Sequence, residues 1–335
     1  MATVRQVAKL AGVSITTVSR VLNNHHAIST EVRQRVLAAA NAVRYVPRVG
    51  RRSTTNIACL YTDEPPLASL FDGALLYGIS TGLGALGLDL MILAGKRARH
   101  SGETFTQMFL RKGVCGAILR TNTATREVCR QIAQEGFPAV VVAENFDDPA
   151  VPCVYADSRP ACLRAMDHLI HLGHRRIAIT LNVVEDHDHA LRLQAYRRGL
   201  QQAGLAVDER LILRFPAYQD AGGQALHQIM GMTDRPTAVF MTDPRAAVGL
   251  FHEALRMGVR IPADLSVIGF DDTDLRFGVF PHMAAVCQSA EALGRQAIAT
   301  LIDRMQPKQA ASVGGRLECW LELNDSTAPP PQTAC

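Results

Sequence analysis

The chain has 335 residues, of which 48% are hydrophobic, and this fraction excludes a chain that is disordered throughout. A chain of this length exceeds one simple core, so we expect two or three domains. No apolar run reaches the ~18 residues that a membrane helix needs, and the N-terminus lacks the apolar core of a signal peptide. These observations predict a cytoplasmic protein.

The eight cysteines are scattered along the chain without a close pair. In a reducing compartment this spacing predicts free thiols, and neither disulfides nor a zinc site. The sequence contains no HExxH motif and no phosphate-binding loop. We therefore expect no metal, no cofactor and no catalytic residue.

Charge is divided unevenly along the chain. Residues 1–56 contain nine Lys or Arg and one acid, which gives this segment a net charge of +8. The whole chain has a net charge of only +4, so residues 57–335 carry −4. A basic head on an acidic body is typical of a protein that binds nucleic acid.

Residues 3–23, TVRQVAKLAGVSITTVSRVLN, predict two short helices joined by a tight turn. Apolar residues recur at helical spacing, Gly12 interrupts them, and Ser14 is a suitable N-cap for the second helix. Such a helix-turn-helix lays its second helix in the major groove of DNA. The residues expected on or near the exposed face of that helix are Ile15, Thr16, Thr17, Ser19 and Arg20.

The strings AKLAGVS and TVSRVLN resemble the DNA-binding head of the lactose-repressor/galactose-repressor (LacI/GalR) family almost position for position. We expect base edges to be read by three residues and phosphates to be held by others, with Ser14 at the start of the reading helix. The base-reading residues are Ile15, Thr16 and Arg20. The phosphate-binding residues are Thr3, Thr17, Ser19 and Asn23. Since an isoleucine contacts only apolar groups such as the thymine methyl, we expect an A·T pair opposite Ile15.

A third helix is expected from Ser29 as its N-cap to about Tyr45, so the head comprises residues 1–47. Residues 48–56, RVGRRSTTN, form a short basic linker. In the family a longer linker folds on DNA into a hinge helix whose leucine wedges into the minor groove. This linker contains no leucine, so we expect Arg48, Arg51 and Arg52 to supply charge to phosphates or the minor groove with little kinking.

Beyond the linker, short apolar runs alternate with stretches of helical length, which predicts parallel sheets covered by helices on both faces. That many runs exceed one sheet, so two doubly wound lobes are expected, with a ligand at the carboxyl ends of strands. The runs are residues 57–61, 88–93, 114–119, 138–143, 176–180, 211–215, 237–241, 265–270 and 317–323.

This body resembles the periplasmic-binding-protein-like core of the same family in three strings, at residues 156–179, 192–205 and 259–272. The resemblance implies a core over residues 57–325 with two discontinuous lobes. The first lobe is expected at about 57–158 with 289–316, and the second at 159–288 with 317–325. The Pro-rich tail, residues 326–335, is expected to be disordered and contains no leucine heptads, so a symmetric dimer is the default.

The family resemblance also implies an effector site. Arg192, four residues before Tyr196, matches an effector-binding arginine, whose guanidinium suits vicinal hydroxyls or a carboxylate. The alternative is a surface arginine on an amphipathic helix. Asp271 matches a carboxylate that accepts from ligand hydroxyls, whereas the alternative for Asp271 and Asp272 is capping of the following segment.

Four further residues belong to the expected effector site. Tyr218 matches an aromatic that stacks on a ring, Gln288 follows a late strand, and Phe71 is a candidate cleft wall. Packing is the alternative for both aromatic residues. Thr242 stands where the family commonly has Asn, and its single hydroxyl argues against a standard hexose pose.

Three other motifs have structural alternatives. The string GLGALG at 82–87 spells a dinucleotide fingerprint, but helix precedes it and strand follows, which is the reverse of the required order. The run EDHDH at 185–189 contains metal-ligand types, although a solvated loop over the cleft is favoured. His168, His171 and His174 share one helix end, and helix capping is the favoured role.

Together these patterns predict an α/β protein: an N-terminal three-helix helix-turn-helix domain followed by a two-lobed core of doubly wound parallel sheets. The expected function is a transcriptional repressor that binds palindromic double-stranded DNA as a homodimer under control of a sugar or sugar acid. Thr242 and the charged cleft tilt this expectation toward a sugar acid. The alternatives are an enzyme with an accessory head and a solute-binding protein.

Overall fold

The structure, a computed structural model, describes residues 3–22, 28–43, 45, 54–67, 69–146, 148, 150–306 and 314–331. None of the helices described in these ranges is long and apolar enough to cross a membrane. The chain divides into two compact units. The first comprises Met1–Pro66, Ile79–Val154 and Arg295–Gly315, and the second comprises Leu67–Gly78, Tyr155–Gly294 and Arg316–Cys335.

The head consists of three helices, which are α1 (Val4–Ala11), α2 (Ile15–Leu22) and α3 (Thr30–Ala42). The turn between α1 and α2 follows the expected chemistry. Gly12 has φ of +63°, in the left-handed region where glycine carries no Cβ penalty, and it ends α1. The Ser14 hydroxyl accepts from the backbone N–H of Thr17 at 3.0 Å and so caps α2. The helix-turn-helix is confirmed.

The core that follows alternates helices with strands. Its helices are α4 (Leu70–Gly84), α5 (Gly95–Ala98), α6 (Phe105–Arg111), α7 (Arg126–Gln134), α8 (Arg159–His171), α9 (His187–Gln202), α10 (Gln219–Met230), α11 (Pro244–Met257) and α12 (Ala290–Met305). Its strands are β1 (Asn56–Tyr61), β2 (Asp89–Ala94), β3 (Val114–Arg120), β4 (Ala139–Val142), β5 (Cys153–Asp157), β6 (Ile177–Asn182), β7 (Ile212–Phe215), β8 (Ala238–Met241), β9 (Ser266–Asp271), β10 (Ala284–Cys287), β11 (Gly314–Glu318) and β12 (Trp320–Glu322).

The strands form two six-stranded sheets, as the expected doubly wound core requires. The first has the order β11-β5-β4-β3-β1-β2 and the second the order β12-β10-β9-β8-β6-β7. Strands β1 to β4 and β6 to β10 pair in parallel with their neighbours, whereas β12 runs antiparallel to β10. The central strands are almost fully buried because helices cover both faces of such sheets.

Two details of the strands differ from the sequence prediction. The last predicted strand, 317–323, is two strands: β11 belongs to the first sheet and β12 to the second, with Cys319 between them. Strands β5 and β10 were not among the predicted runs. Helix α4 ends at Gly84 and β2 begins at Asp89, so the string 82–87 has the helix-then-strand order that excludes a dinucleotide fingerprint.

The boundaries of the compact units differ from the expected lobes at residues 67–78, which group with the second unit. Within that unit, Gly78 lies against the start of α12. A Cβ built on Gly78 would overlap the backbone carbonyl of Glu291. A side chain at this position would separate the two segments, so their close approach depends on glycine.

The C-terminal segment 326–331 is ordered by specific contacts, which corrects the expected disordered tail. The buried Ser326 hydroxyl donates to the carbonyl of Val267 at 2.6 Å and accepts from the N–H of Ala284 at 2.8 Å. The carbonyl of Ala328 accepts from Ser266 at 3.0 Å. The segment extends the hydrogen bonding of β9 and β10, which composition alone does not predict. Residues 332–335 lie outside the described residues.

His174 and His168 hold this segment, so helix capping is the wrong role for both. His174 is fully buried; its Nδ1 lies 2.8 Å from the Thr237 hydroxyl and its Nε2 lies 2.9 Å from the Ala328 carbonyl. His168 Nε2 lies 2.9 Å from the Thr327 hydroxyl. His171 alone contacts its own helix, through Nδ1 and the Asp167 carbonyl at 2.7 Å.

Candidate functional site

The exposed face of α2 carries the residues expected to read DNA. Ile15 is 45% exposed although it is apolar, and Thr16, Ser19 and Arg20 are exposed beside it. The opposite face of the helix packs Val18 and Val21 into the core of the head. An exposed isoleucine on the same short helix as an exposed arginine suits contact with a partner more than packing within the head.

Three of the expected DNA-binding residues also hold the head together. Thr3 and Gln6 form a capping box at the start of α1, in which Thr3 N donates to Gln6 Oε1 at 2.7 Å. Ser14 and Thr17 hydroxyls lie 2.9 Å apart. Their capping roles leave the phosphate contacts proposed for them as predictions. Asn23, Arg48, Arg51 and Arg52 lie outside the described residues.

The other two helices of the head add exposed positive charge. Arg5, Lys9 and Arg35 are exposed on α1 and α3. Arg33 donates from Nη1 to the Val21 carbonyl at 3.4 Å, which ties α3 to the end of α2. A basic head of this kind attracts the phosphate backbone at long range and loses affinity as salt rises.

In the second unit, Arg192 is enclosed rather than exposed, so the alternative of a surface arginine is wrong. Its side chain is only 6% exposed and its Cζ lies 3.6 Å from the centroid of the Phe270 ring. Nη1 donates to the Thr242 carbonyl at 2.8 Å, and Asp188 Oδ2 lies 3.8 Å from Nη2. Burial opposes the charge of Arg192, but Asp188 and Asp272 outweigh it and raise its pKa.

Asp271 does not have the ligand-accepting role expected of it. Its carboxylate accepts from the backbone N–H groups of Thr273, Leu275 and Arg276, at 3.0 to 3.3 Å. It also pairs with the Arg276 guanidinium, with Nη1 2.8 Å from Oδ2. Because its own turn already uses both oxygens, Asp271 is a capping residue.

Asp272 is the carboxylate associated with Arg192. Gln288 Nε2 donates to Asp272 Oδ1 at 2.5 Å, and the Gln288 backbone N–H donates to the Asp271 carbonyl at 3.1 Å. Burial raises the pKa of Asp272 to about 6, and the nearby Arg192 guanidinium opposes the rise. The structure thus brings Arg192, Asp272 and Gln288 together at the carboxyl edge of the second sheet.

Thr242 supports this cluster through its backbone. It is fully buried, and its hydroxyl donates to the Thr180 carbonyl while its N–H donates to the Thr180 hydroxyl. The expectation that the Thr242 hydroxyl faces the ligand is therefore wrong. The Thr242 side chain fixes the end of β8, and the Thr242 carbonyl orients Arg192.

The two expected aromatic contacts differ in exposure. Tyr218 precedes α10 as its N-cap residue and its side chain is 63% exposed, so packing in the core is wrong for Tyr218. An exposed ring at this position is available for stacking. Phe71 lies in the first turn of α4 and is half-buried, and its role as a cleft wall stays a prediction.

The run 185–189 is expected from its composition to form a solvated loop, but it contains the start of α9. Asp186 instead caps α9, accepting from the N–H of His189 at 2.8 Å, because aspartate is a favoured N-cap. Both carboxylate oxygens also lie 2.9 Å from His189 Nδ1. Burial opposes ionisation of Asp186, but its contacts with His189 outweigh burial and lower its pKa. In the part of the chain that is described, no group of three metal-ligating side chains gathers.

A helix-turn-helix head, two largely parallel sheets covered by helices, and a buried arginine–carboxylate cluster at the carboxyl ends of β8, β9 and β10 define a DNA-binding regulator with a ligand-binding core. Residues 3–48 match the family described as "Bacterial regulatory proteins, lacI family". Residues 166–322 match the "Periplasmic binding protein-like domain". The two matches cover the head and most of the second unit.

Full-length relatives agree with these matches. The HTH-type transcriptional repressor CytR of Escherichia coli (strain K12) is 30% identical over 329 residues, which cover 97% of this chain and 96% of the relative. Catabolite control protein A of Priestia megaterium is 27% identical over 97% of this chain and 99% of the relative. The solved "transcriptional regulator CelR-cellobiose complex" is 27% identical, with a TM-score of 0.70 over 97% of this chain and 100% of that chain.

The chain therefore belongs to the LacI family of bacterial transcriptional regulators. It is a DNA-binding regulator with a ligand-binding domain and not an enzyme, since the relatives it matches over their whole length are regulators.

Proposed function

We propose that this regulator is a homodimeric repressor that binds a palindromic operator in the cytoplasm and releases it when a small sugar binds the core. The observation that carries the proposal is the exposed surface of α2, which presents Ile15, Thr16 and Arg20 on a basic head. A single head contacts only one half-site, so two copies related by a two-fold axis are needed to read a palindrome.

The roles on DNA follow from side-chain chemistry. Arg20 donates to the base edge of guanine or to a phosphate, Thr16 reads a neighbouring base, and Ile15 contacts a thymine methyl. Thr3, Thr17, Ser19 and Asn23 hold phosphates. The linker arginines Arg48, Arg51 and Arg52 add phosphate or minor-groove contacts without a leucine wedge.

The effector contacts Arg192, Asp272 and Gln288, with Tyr218 stacking on its ring and Phe71 lining the site. The carboxylates of Asp186, Asp188 and Asp272 outnumber the Arg192 guanidinium in this cluster. A negatively charged ligand adds repulsion there, so of the two classes considered above an uncharged sugar is favoured over a sugar acid. The cellobiose bound by the similar regulator CelR supports the same class.

Control of DNA binding follows from linkage. A sugar that binds one arrangement of the core more tightly than the DNA-bound arrangement lowers operator affinity, and operator binding lowers sugar affinity by the same factor. The short linker transmits this change to the head directly.

The proposal is tested by measuring operator affinity with cellobiose, glucose and glucuronate as probes, in wild type and Arg192→Ala. We expect an uncharged sugar to release wild type from DNA, and Arg192→Ala to keep operator affinity within about a few-fold but lose the response. The control is Arg197→Ala, which removes an exposed arginine of the same helix that pairs with Glu209. Release by glucuronate alone, or loss of DNA binding by folded Arg192→Ala, contradicts the assignment.

A further inference from the structure

His189 is a nearly buried histidine with one ring nitrogen in use. Its side chain is 12% exposed, and Nδ1 lies 2.9 Å from both carboxylate oxygens of Asp186. An ionised carboxylate only accepts, so Nδ1 carries the proton that points to Asp186, and in the neutral form of the ring Nε2 carries a lone pair. Nε2 is buried, and within the described ranges it has no hydrogen-bond partner.

Arg192 offers the complementary group on the same face of α9, three residues after His189. Its Nη1 donates to Thr242 and its Nη2 faces Asp188. Its Nε–H, however, is buried and finds no acceptor among the residues that the structure describes. One face of α9 thus carries a buried acceptor, His189 Nε2, and a buried donor, Arg192 Nε, neither of which has a partner among the described residues.

We propose that the Asp186–His189 pair is a further effector-recognition element, in which His189 Nε2 accepts a hydrogen bond from a hydroxyl of the ligand and Arg192 Nε donates to the same or an adjacent hydroxyl. A hydroxyl group both donates and accepts, so vicinal hydroxyls of a sugar satisfy both atoms. Asp186 is a positioning residue, since it fixes the tautomer and direction of the imidazole. This inference rests on the proposed function only in taking the ligand to be the effector.

The same geometry has a consequence for the ligand-free protein. A buried acceptor without a donor loses its hydration and gains no hydrogen bond, so it destabilises the folded state. Residues kept for ligand binding commonly lower stability in this way. A histidine with a structural role is instead fully bonded, as His174 is through Thr237 and Ala328.

The first test is the melting temperature of the ligand-free protein. His189→Leu replaces the unpaired ring by an apolar side chain and leaves Asp186 to cap α9 through the backbone N–H at 189. We expect Tm to rise by about 2 °C or more. The matched control, His174→Leu, removes two hydrogen bonds and is expected to lower Tm.

The second test uses wild type and a small electrophile, diethyl pyrocarbonate. The unprotonated Nε2 attacks a carbonyl carbon of the reagent, forms an N–C bond and expels the other half as ethanol and carbon dioxide, with loss of the Nδ1 proton. A site that admits a sugar admits this reagent, so we expect His189 to be modified in the folded protein. Peptide mass mapping should also find the exposed His100 modified and His174 unmodified.

A fall in Tm for His189→Leu, or an unmodified His189 beside a modified His100, overturns the proposal. Neither measurement uses operator DNA or a sugar. Failure of the proposed function therefore appears in the operator-release assay, and failure of this inference appears here.

Discussion

Asp271 and Asp272 are neighbours in the chain, yet their carboxylates serve different parts of the molecule. Asp271 closes its own turn and pairs with Arg276, whereas Asp272 joins Gln288 in the cluster around Arg192. The Asp271 carboxylate accepts from three backbone N–H groups as well as from Arg276, and Arg276 also pairs with Asp274 and Glu322. Burial disfavours the ionised form of Asp272 and raises its pKa.

Replacing each aspartate by asparagine separates these roles. Asp271→Asn is expected to lower the free energy of unfolding by about 2 kcal/mol at pH 7, because an amide offers one acceptor oxygen where the carboxylate offers two, while Arg276 still pairs with Asp274 and Glu322. Asp272→Asn is expected to be at least as stable as wild type at pH 7. Urea unfolding of both variants measures the difference.

The free energy of unfolding of Asp272→Asn, measured as a function of pH, tests the raised pKa of Asp272. The pKa of Asp272 is about 6 in the folded protein and lies near 3.9 in an unfolded chain, so its contribution is present below ~pH 4 and is lost as pH rises through 6. The stability of Asp272→Asn relative to wild type should therefore increase between ~pH 4 and 7. Equal profiles for the two proteins contradict a buried, weakly acidic Asp272.

Sequence predicted Arg192 because the string RLQAY places it in a family motif. It did not predict which of two adjacent carboxylates joins Arg192, since that choice depends on a turn closed by backbone N–H groups of residues 273–276. The roles of Asp186 and His189 were missed for a similar reason. A polar N-cap residue looks like a loop residue in the sequence unless the first residue of α9 is known.

At the level of elements, strands with continuous apolar runs were predicted well, because burial on both faces leaves a strong pattern. The C-terminal segment was not. Its proline content is typical of disorder, whereas Ser326 and Ala328 bond to residues about sixty positions away, at 266–267. Such long-range pairing leaves no local signal, and neither does the division of 317–323 between two sheets.

The histidines that hold this segment predict how stability changes in acid. Burial lowers the pKa of His174 and of His168 below the usual value of 6.5. The unfolded chain then takes up protons first, so stability that is present above ~pH 6.5 is lost as pH falls below it. We expect His174→Gln to lose less stability than wild type between pH 7 and 5 in urea unfolding. His171→Gln, which changes an exposed ring, serves as control and should follow wild type.

Across the molecule, the basic head is the part that binds DNA and the acidic body is the part that binds the effector. Binding to phosphates releases counterions, so affinity must fall as salt rises, with a slope of about −0.9 per phosphate neutralised. A solute-binding protein without a DNA-binding head predicts no such dependence.

The linker arginines can be tested through this slope. Arg51→Gln together with Arg52→Gln is expected to reduce the slope of log K against log salt by about 0.9 for each arginine that contacts a phosphate. Arg210→Gln changes an exposed arginine of the core, beside Asp208, and should leave the slope unchanged. Titration of fluorescent operator DNA at several salt concentrations measures both. An unchanged slope in the double variant removes the linker from the DNA contacts.

Sequence-specific binding by a dimer is measured by selecting binding sites from random duplex DNA, with Arg20→Ala as the matched protein. We predict enrichment of a two-fold symmetric motif with an A·T pair at the step opposite Ile15, and loss of that enrichment in Arg20→Ala. A folded wild-type protein that enriches no symmetric motif, alone or with cellobiose present, contradicts a dimeric sequence-specific regulator.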